Sequence, residues 1–212
     1  LLRAWDLNNT IESEAASYFE AWWNMIMYNT WDEMRTSSLS LERPTAYNTI
    51  KLIKESPDLS FFDIQETTMK ETATEVVRLA FSDGVKLMAE WKLRNQSSSV
   101  AWGDYKDTFV GHLARLEPFG MHVQHGGSNV CVNASTRTHG PSWRMIVSLD
   151  KTGIQAYATY PGGQSGNPGS LHYADLLDSW STGSYHELLF VHNPEDATTK
   201  TLYSTKLVPS ER

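Results

Sequence analysis

Tyr160-Pro161-Gly162-Gly163-Gln164-Ser165-Gly166-Asn167-Pro168-Gly169-Ser170, continued by Leu171-His172-Tyr173-Ala174-Asp175 and closed by Trp180, Gly183 and Tyr185, is the most specific stretch of the chain. Four glycines and two prolines within ten positions specify an ordered turn, because glycine reaches positive φ and proline fixes its own. An apolar-patterned segment, Tyr173 to Trp180, starts just after it, so the stretch reads as a strand end, a Gly-rich loop and a helix start. The loop lacks the lysine and the glycine spacing of a phosphate-binding loop. Ser165 invites comparison with the Gly-x-Ser-x-Gly nucleophile turn, but Gly163-Gln164-Ser165-Gly166-Asn167 breaks that pattern at its last position. The residues by themselves therefore favour a structural turn.

Outward from this loop, turn signals recur from Val100 onward at the cadence of antiparallel sheet. Strands are expected over 129–133, 142–149 and 153–159, the last two joined by a hairpin at Asp150-Lys151-Thr152-Gly153. Two more are expected over 185–191 and 199–208, around a turn at 192–196. Residues 1–94 read as mainly helical and 100–212 as mainly strands. Asn9-Thr10-Ile11-Glu12 has the form of a capping box, and Ile11, Ala15, Phe19, Trp22, Ile26 and Met27 recur at helical spacing, predicting a helix from Thr10 to Met34. Pro44-Thr45 opens a second helix through Glu55, which Ser56-Pro57-Asp58 stops. A third is expected from Met69 to Leu93, with Asp83-Gly84 as a point of kinking. The polar linker Asn95–Ser99 is too short to separate independent domains, so 1–212 reads as one α+β piece with helices laid on a sheet.

Composition narrows the function classes. The chain of 212 residues is 40% hydrophobic and 20% charged, which disfavours disorder, and no apolar run is long enough to cross a bilayer. A net charge of -7 without a Lys/Arg cluster argues against a nucleic-acid partner. Cys131 is the only cysteine, and Val130 and Val132 beside it suggest an inert thiol in a buried strand. Eight tryptophans and nine tyrosines fill a large core or line a pocket.

Few residues suggest chemistry directly. His122 and His125 are three apart, a spacing that matches no recognised metal pattern in a strand or loop. His172 and Asp175 can share a helix face as a hydrogen-bonded pair that anchors the loop. Arg144, alternating with apolar residues in a strand, requires a carboxylate partner if it is buried, and Asp175 is the candidate.

Taken in order, Leu2-x-x-Trp5-Asp6, Trp102-Gly103, Gly126-Gly127, Val132-Asn133-Ala134, Gly140-x-Ser142-x-Arg144, Gly162-Gly163-Gln164-Ser165-Gly166, Ser170-x-His172-Tyr173-x-Asp175, Trp180 and Gly183-x-Tyr185 resemble the C-terminal part of the β-subunit of the penicillin acylase (penicillin amidase) family. The resemblance runs over nearly the whole chain. It implies a fragment of the four-layer αββα sandwich of the N-terminal-nucleophile hydrolases. In that family the freed first residue of the β-subunit, usually Ser, attacks an amide, its own α-amine serves as base, and backbone N–H groups with an Asn stabilise the oxyanion.

Leu1 carries no nucleophile, and the family's oxyanion Asn and calcium ligands lie upstream of its Trp-Asp motif, so the resemblance transfers no catalytic residue and no cofactor to this chain. Gly163, Gln164, Ser165, Gly166, His172, Asp175 and Arg144 are then structural and loop residues. The remaining expectations from the resemblance are a small N-acyl amide substrate, association with the remainder of the acylase α and β chains, and a periplasmic or extracellular location. Neither a nucleic acid nor a membrane is an expected partner. The isolated piece is expected to be inactive and prone to self-association. The alternative is a non-catalytic module that uses its aromatic excess to hold a ligand or build a structure.

Overall fold

The computed structural model describes residues 1–151, 153–190, 193, 195, 203 and 205–209. They are mixed α+β, in two compact units, Leu1–Gly140 and Pro141–Arg212.

The first unit is organised by two helices, α1 (Glu14–Thr30) and α4 (Ala73–Asn95), packed along each other. Their contact faces are small: Ala21 of α1 and Ala80 of α4 are buried, and Gly84 lies directly against α1. A Cβ on Gly84 would be 3.0 Å from the backbone nitrogen of Trp22, so the glycine is there for close approach and the helix runs through it without breaking. The indole N–H of Trp22 then donates to the carbonyl of Val77 at 2.9 Å across the same contact. Ala21, Met88 and Val100 form one buried cluster, walled by Tyr18, Trp91 and Tyr105.

Between these helices run α2 (Asp32–Thr36) and α3 (Ala46–Glu55). A second cluster, Phe62, Ala73 and Val76, is covered by Leu52, Ile53, Leu59 and Ile64. Burying a side chain such as Phe62 is worth about 1.5–3 kcal/mol. The indole of Trp31, 2% exposed, donates to Thr49 Oγ1 at 3.2 Å. After α4 come α5 (Trp102–Lys106), β1 (Thr108–Val110) and β2 (Met121–Val123), the two strands pairing antiparallel with Phe109 opposite His122.

The caps explain where sequence-predicted helices shift. α3 starts after Thr45, whose hydroxyl accepts from Asn48 N–H, as expected. The first helix starts instead at Ser13, which accepts from Ala16 N–H at 3.2 Å, and breaks at Trp31 before α2. The capping box belongs to α4, where Thr72 and Glu75 satisfy each other's backbone N–H groups. Gln96, in the left-handed conformation, ends that helix.

The second unit is a three-stranded antiparallel sheet in the order β3-β4-β5, comprising β3 (Arg144–Asp150), β4 (Gly153–Thr159) and β5 (His186–Leu188), with α6 (Leu177–Thr182). The expected hairpin is present, Ile146 opposite Tyr157 and Asp150 opposite Gly153. Ala156, Ala158, Thr159, Leu177 and Trp180 are buried. The outer strand β3 exposes Met145, Ile146, Val147 and Leu149.

One strand expectation changes. Residues 129–133 form turns, with Val130 and Val132 exposed, and Cys131 is a half-buried turn thiol 3.3 Å from Ser128 Oγ. The 199–208 strand and the 192–196 turn fall largely outside the described residues.

Candidate functional site

In the second unit the Gly-rich loop closes on itself. Ser165 N–H donates to His172 O at 3.0 Å and Leu176 N–H to Gly162 O at 2.8 Å, which folds 162–176 into one bracket leading into α6. Ser165 Oγ accepts from Asn167 N–H at 3.1 Å, Asn167 Oδ1 from Gly169 N–H at 3.0 Å, and Ser170 Oγ from His172 N–H at 3.1 Å. These local side-chain bonds are what Asn and Ser contribute to turns. A Cβ on Gly163 would collide with the carbonyl of His172 and the carboxylate of Asp175, so this glycine is required by crowding. Gln164 and Gly166 are exposed.

His172 Nδ1 lies 2.8 Å from Asp175 Oδ2, the pairing expected from their spacing. That pairing also corrects the proposed partner of Arg144. The guanidinium donates to Trp180 O at 3.1 Å, stacks 5.1 Å from the centre of the Trp180 ring and bonds the Tyr185 hydroxyl. Burial pulls the Arg144 guanidinium below its usual value while Tyr185 opposes the shift. Among the described residues a carbonyl, an indole face and a phenol meet Arg144, and Trp180, 2% exposed with its N–H on Pro141 O at 2.9 Å, is the anchor. Among the described residues, the side chains of Ser165, His172 and Arg144 are not bonded to one another and form no nucleophile–base relay.

The first unit holds a constellation that spacing did not reveal. Asp107, the residue capping α5 in the left-handed conformation at φ 49°, accepts at one oxygen from His122 Nδ1 (2.6 Å) and at the other from Arg137 (2.9 Å). The three lie beside a cavity of about 720 Å³ that Trp91, Asp104, Tyr105 and Gln124 also line. The Gln124 amide N–H donates to Asp104. Burial, with the Glu20 charge adding, pushes the Tyr105 phenol up, so it stays neutral. The rings of Trp91 and Tyr105 meet edge to face with centres 6.1 Å apart. Beneath this wall a buried lysine, Lys106, ties down the loop that carries Arg137: its Nζ donates to Gly126 O (2.7 Å), Gly127 O (3.2 Å) and Ser135 Oγ (2.8 Å). Asp107 and His122 are 15 residues apart and Asp107 and Arg137 are 30, so no local pattern marks the cluster. The available sequence signal was His122 itself.

Among the described residues, no three His, Cys, Asp or Glu side chains converge as a metal site, and no helix is long and apolar enough to cross a membrane.

None of the curated proteins compared matches the chain. Among solved structures, it is similar to the thermostable penicillin G acylase from Alcaligenes faecalis at 14% identity and a TM-score of 0.45, over 94% of this chain and 39% of that one. The chain thus spans well under two thirds of the length of that relative. The profile of the family described as penicillin amidase matches residues 1–196, which takes in α1 to α6, β1 to β5 and the Gly-rich loop, and the chain therefore belongs to the penicillin amidase family.

Proposed function

We propose that this chain is the C-terminal portion of an amidohydrolase that cleaves the amide bond of N-acylated small molecules. The observation that carries the reading is the family match over residues 1–196. In this proposal the nucleophile is an N-terminal Ser freed by self-cleavage on a segment upstream of Leu1, activated by its own α-amine, with the tetrahedral oxyanion held by upstream donors. The chain supplies part of a four-layer αββα framework and is inactive alone. Support from the site comes from Ser165 Oγ, which accepts from a turn amide at 3.1 Å and has the role of a loop brace.

Among the described residues, both oxygens of Asp107 are taken by His122 and Arg137, and Asp175 is paired with His172, so neither offers a set of calcium donors. In this proposal the calcium that the family implies belongs to upstream segments, as do the contacts with the rest of the α and β chains. The fitting location for such an assembly is periplasmic or extracellular. β3, the outer strand among the described residues, with Met145, Ile146, Val147 and Leu149 exposed, supports self-association of the isolated chain, which light scattering would register.

The deciding experiment expresses the 212-residue chain and, separately, a chain extended upstream through a candidate Ser junction. Each is assayed against phenylacetyl and aliphatic acyl amides. Turnover only by the extended, self-cleaved protein is expected. Hydrolysis by the 212-residue chain alone, or no amide hydrolysis by a correctly processed longer protein, would overturn the proposal.

A further inference from the structure

A smaller pocket of the first unit lies where α1, α3 and the turn at 128–130 meet. α1 supplies the rings of Phe19 and Trp23, one turn apart; α3 supplies Ala46 and Ile50, also one turn apart; the turn supplies Val130. Phe19 is backed by the ring of Trp5, with centres 5.3 Å apart. Ser128, 3% exposed, also lines the pocket, and its carbonyl accepts from the N–H groups of Cys131 and Ser135, each at 3.2 Å, which fixes the turn.

Size and polarity select the occupant. The pocket encloses about 220 Å³. An apolar cavity of about 150 Å³ accepts benzene, so this one has room for a fused pair of rings. Its polar groups lie at the rim or are engaged: Asn24 and Asn129 are exposed, Ser128 Oγ is 3.3 Å from Cys131 Sγ, and Glu20 Oε1 accepts from Asn9 Nδ2 at 3.3 Å. Among the described residues that line it, Glu20 is the one charged side chain, and Lys51, next to Ile50, is ion-paired with Glu55 at 3.8 Å. An anion therefore meets no cation and would lose hydration without compensation. A cation would gain from Glu20 only what a part-exposed ion pair gives, less than about fivefold in affinity. An uncharged aromatic ring gains both apolar burial and ring contacts with Phe19 and Trp23.

We propose that this pocket binds an uncharged aromatic group of the size of an indole, its rings against Phe19, Trp23, Ile50 and Val130, with the neutral amides of Asn24 and Asn129 for a polar edge such as a ring N–H. The site stands whether or not the acylase reading of the whole protein holds, because it uses only residues within 5–135.

Titration of the isotopically labelled full chain with indole, tryptamine and indole-3-carboxylate, followed by backbone amide chemical shifts, tests this. Indole is expected to shift the amides of 46–50 and 128–130 saturably, tryptamine to bind within about fivefold of indole, and indole-3-carboxylate at least about tenfold more weakly. Ala46→Trp, which fills the pocket, is expected to weaken indole about tenfold or more, whereas Leu93→Trp, which adds the same side chain at an exposed position near the end of α4, leaves it unchanged. Shifts that are absent or spread over the surface without saturating, carboxylate binding as tight as that of indole, tryptamine more than fivefold tighter, or the same effect from both variants would overturn the proposal. Should Ala46→Trp fail to fold by circular dichroism, the location of the shifts and the ranking of the three probes on the unmodified chain decide by themselves.

Discussion

Nζ of Lys106 lies 2.8 Å from Oγ of Ser135, and the same ammonium donates to the carbonyls of Gly126 and Gly127 although the residue is only 6% exposed. A buried lysine is tolerated when its donors are satisfied, and here two carbonyls and a hydroxyl accept from it. Lys106→Met keeps the bulk of the side chain and removes the donors. It is expected to lower unfolding stability by about 1–3 kcal/mol and to speed amide exchange over residues 124–137. A variant with unchanged urea midpoint and unchanged exchange would show that the ammonium contributes nothing to holding this loop.

Gly84 offers a second test, of the helix pair that shapes the first unit. Alanine is better than glycine in a helix by about 1 kcal/mol, so propensity alone favours replacing it. Packing opposes this, because the nearest atoms to a new Cβ are backbone of α1, at 3.0 Å (Trp22 N) and 3.1 Å (Trp22 Cα), and backbone cannot rotate away. Gly84→Leu is expected to destabilise by about 1–3 kcal/mol or more through overpacking, with loss of the Trp22–Val77 bond. Thermal melts monitored by tryptophan fluorescence would read both; a raised melting temperature would refute the close-approach role.

These two positions also show what a sequence can and cannot express. α4 was legible because its apolar residues recur at helical spacing, while the Thr72–Glu75 cap that starts it went unread, and α3 because Thr45 is local chemistry acting within one turn. The hairpin of β3 and β4 was legible for the same reason, since a short turn fixes its register. By contrast, β1 and β2 are three residues each, too short to show alternation, and 129–133 shows alternation without being a strand because Val130 and Val132 both face solvent. Asp107, His122 and Arg137 meet only once α5, β2 and the 126–137 loop are folded together, and a buried lysine anchoring that loop has no signature in the chain. The Gly-rich loop identified the family, yet its conformation is set by self-satisfied turn bonds that say nothing of chemistry.

The separation of Arg144 from Asp175 can be measured directly. Asp175 holds His172 at 2.8 Å, and Arg144 holds Trp180 and Tyr185. In a double-mutant cycle, Arg144→Gln and Asp175→Asn should combine additively, within about 0.5 kcal/mol, as sites without shared partners do. The His172→Gln and Asp175→Asn cycle should show a small coupling of at most about 1 kcal/mol, since both side chains are largely exposed. A large coupling in the first cycle would restore the direct ion pair.

Glu33 supplies a pH dependence whose sign is fixed by its surroundings. Burial pushes its carboxyl above the usual value of 4.5, and Asp32, through a side-chain hydrogen bond and its charge, and Asp63, through its charge, add to the rise. A carboxyl whose folded value is raised binds its proton more tightly in the folded state. Its contribution is therefore fully present below the unfolded value and is lost as pH rises through the folded one. Glu33→Gln keeps the neutral shape and removes the titration. The stability of the variant relative to the unmodified chain is thus expected to rise as pH increases from just below 4.5 toward neutrality, and to level off above the raised value. Chemical denaturation across that range measures the difference. A difference that stays flat, or that falls with pH, would mean that Glu33 is ionised and accommodated beside Asp32 in the folded protein.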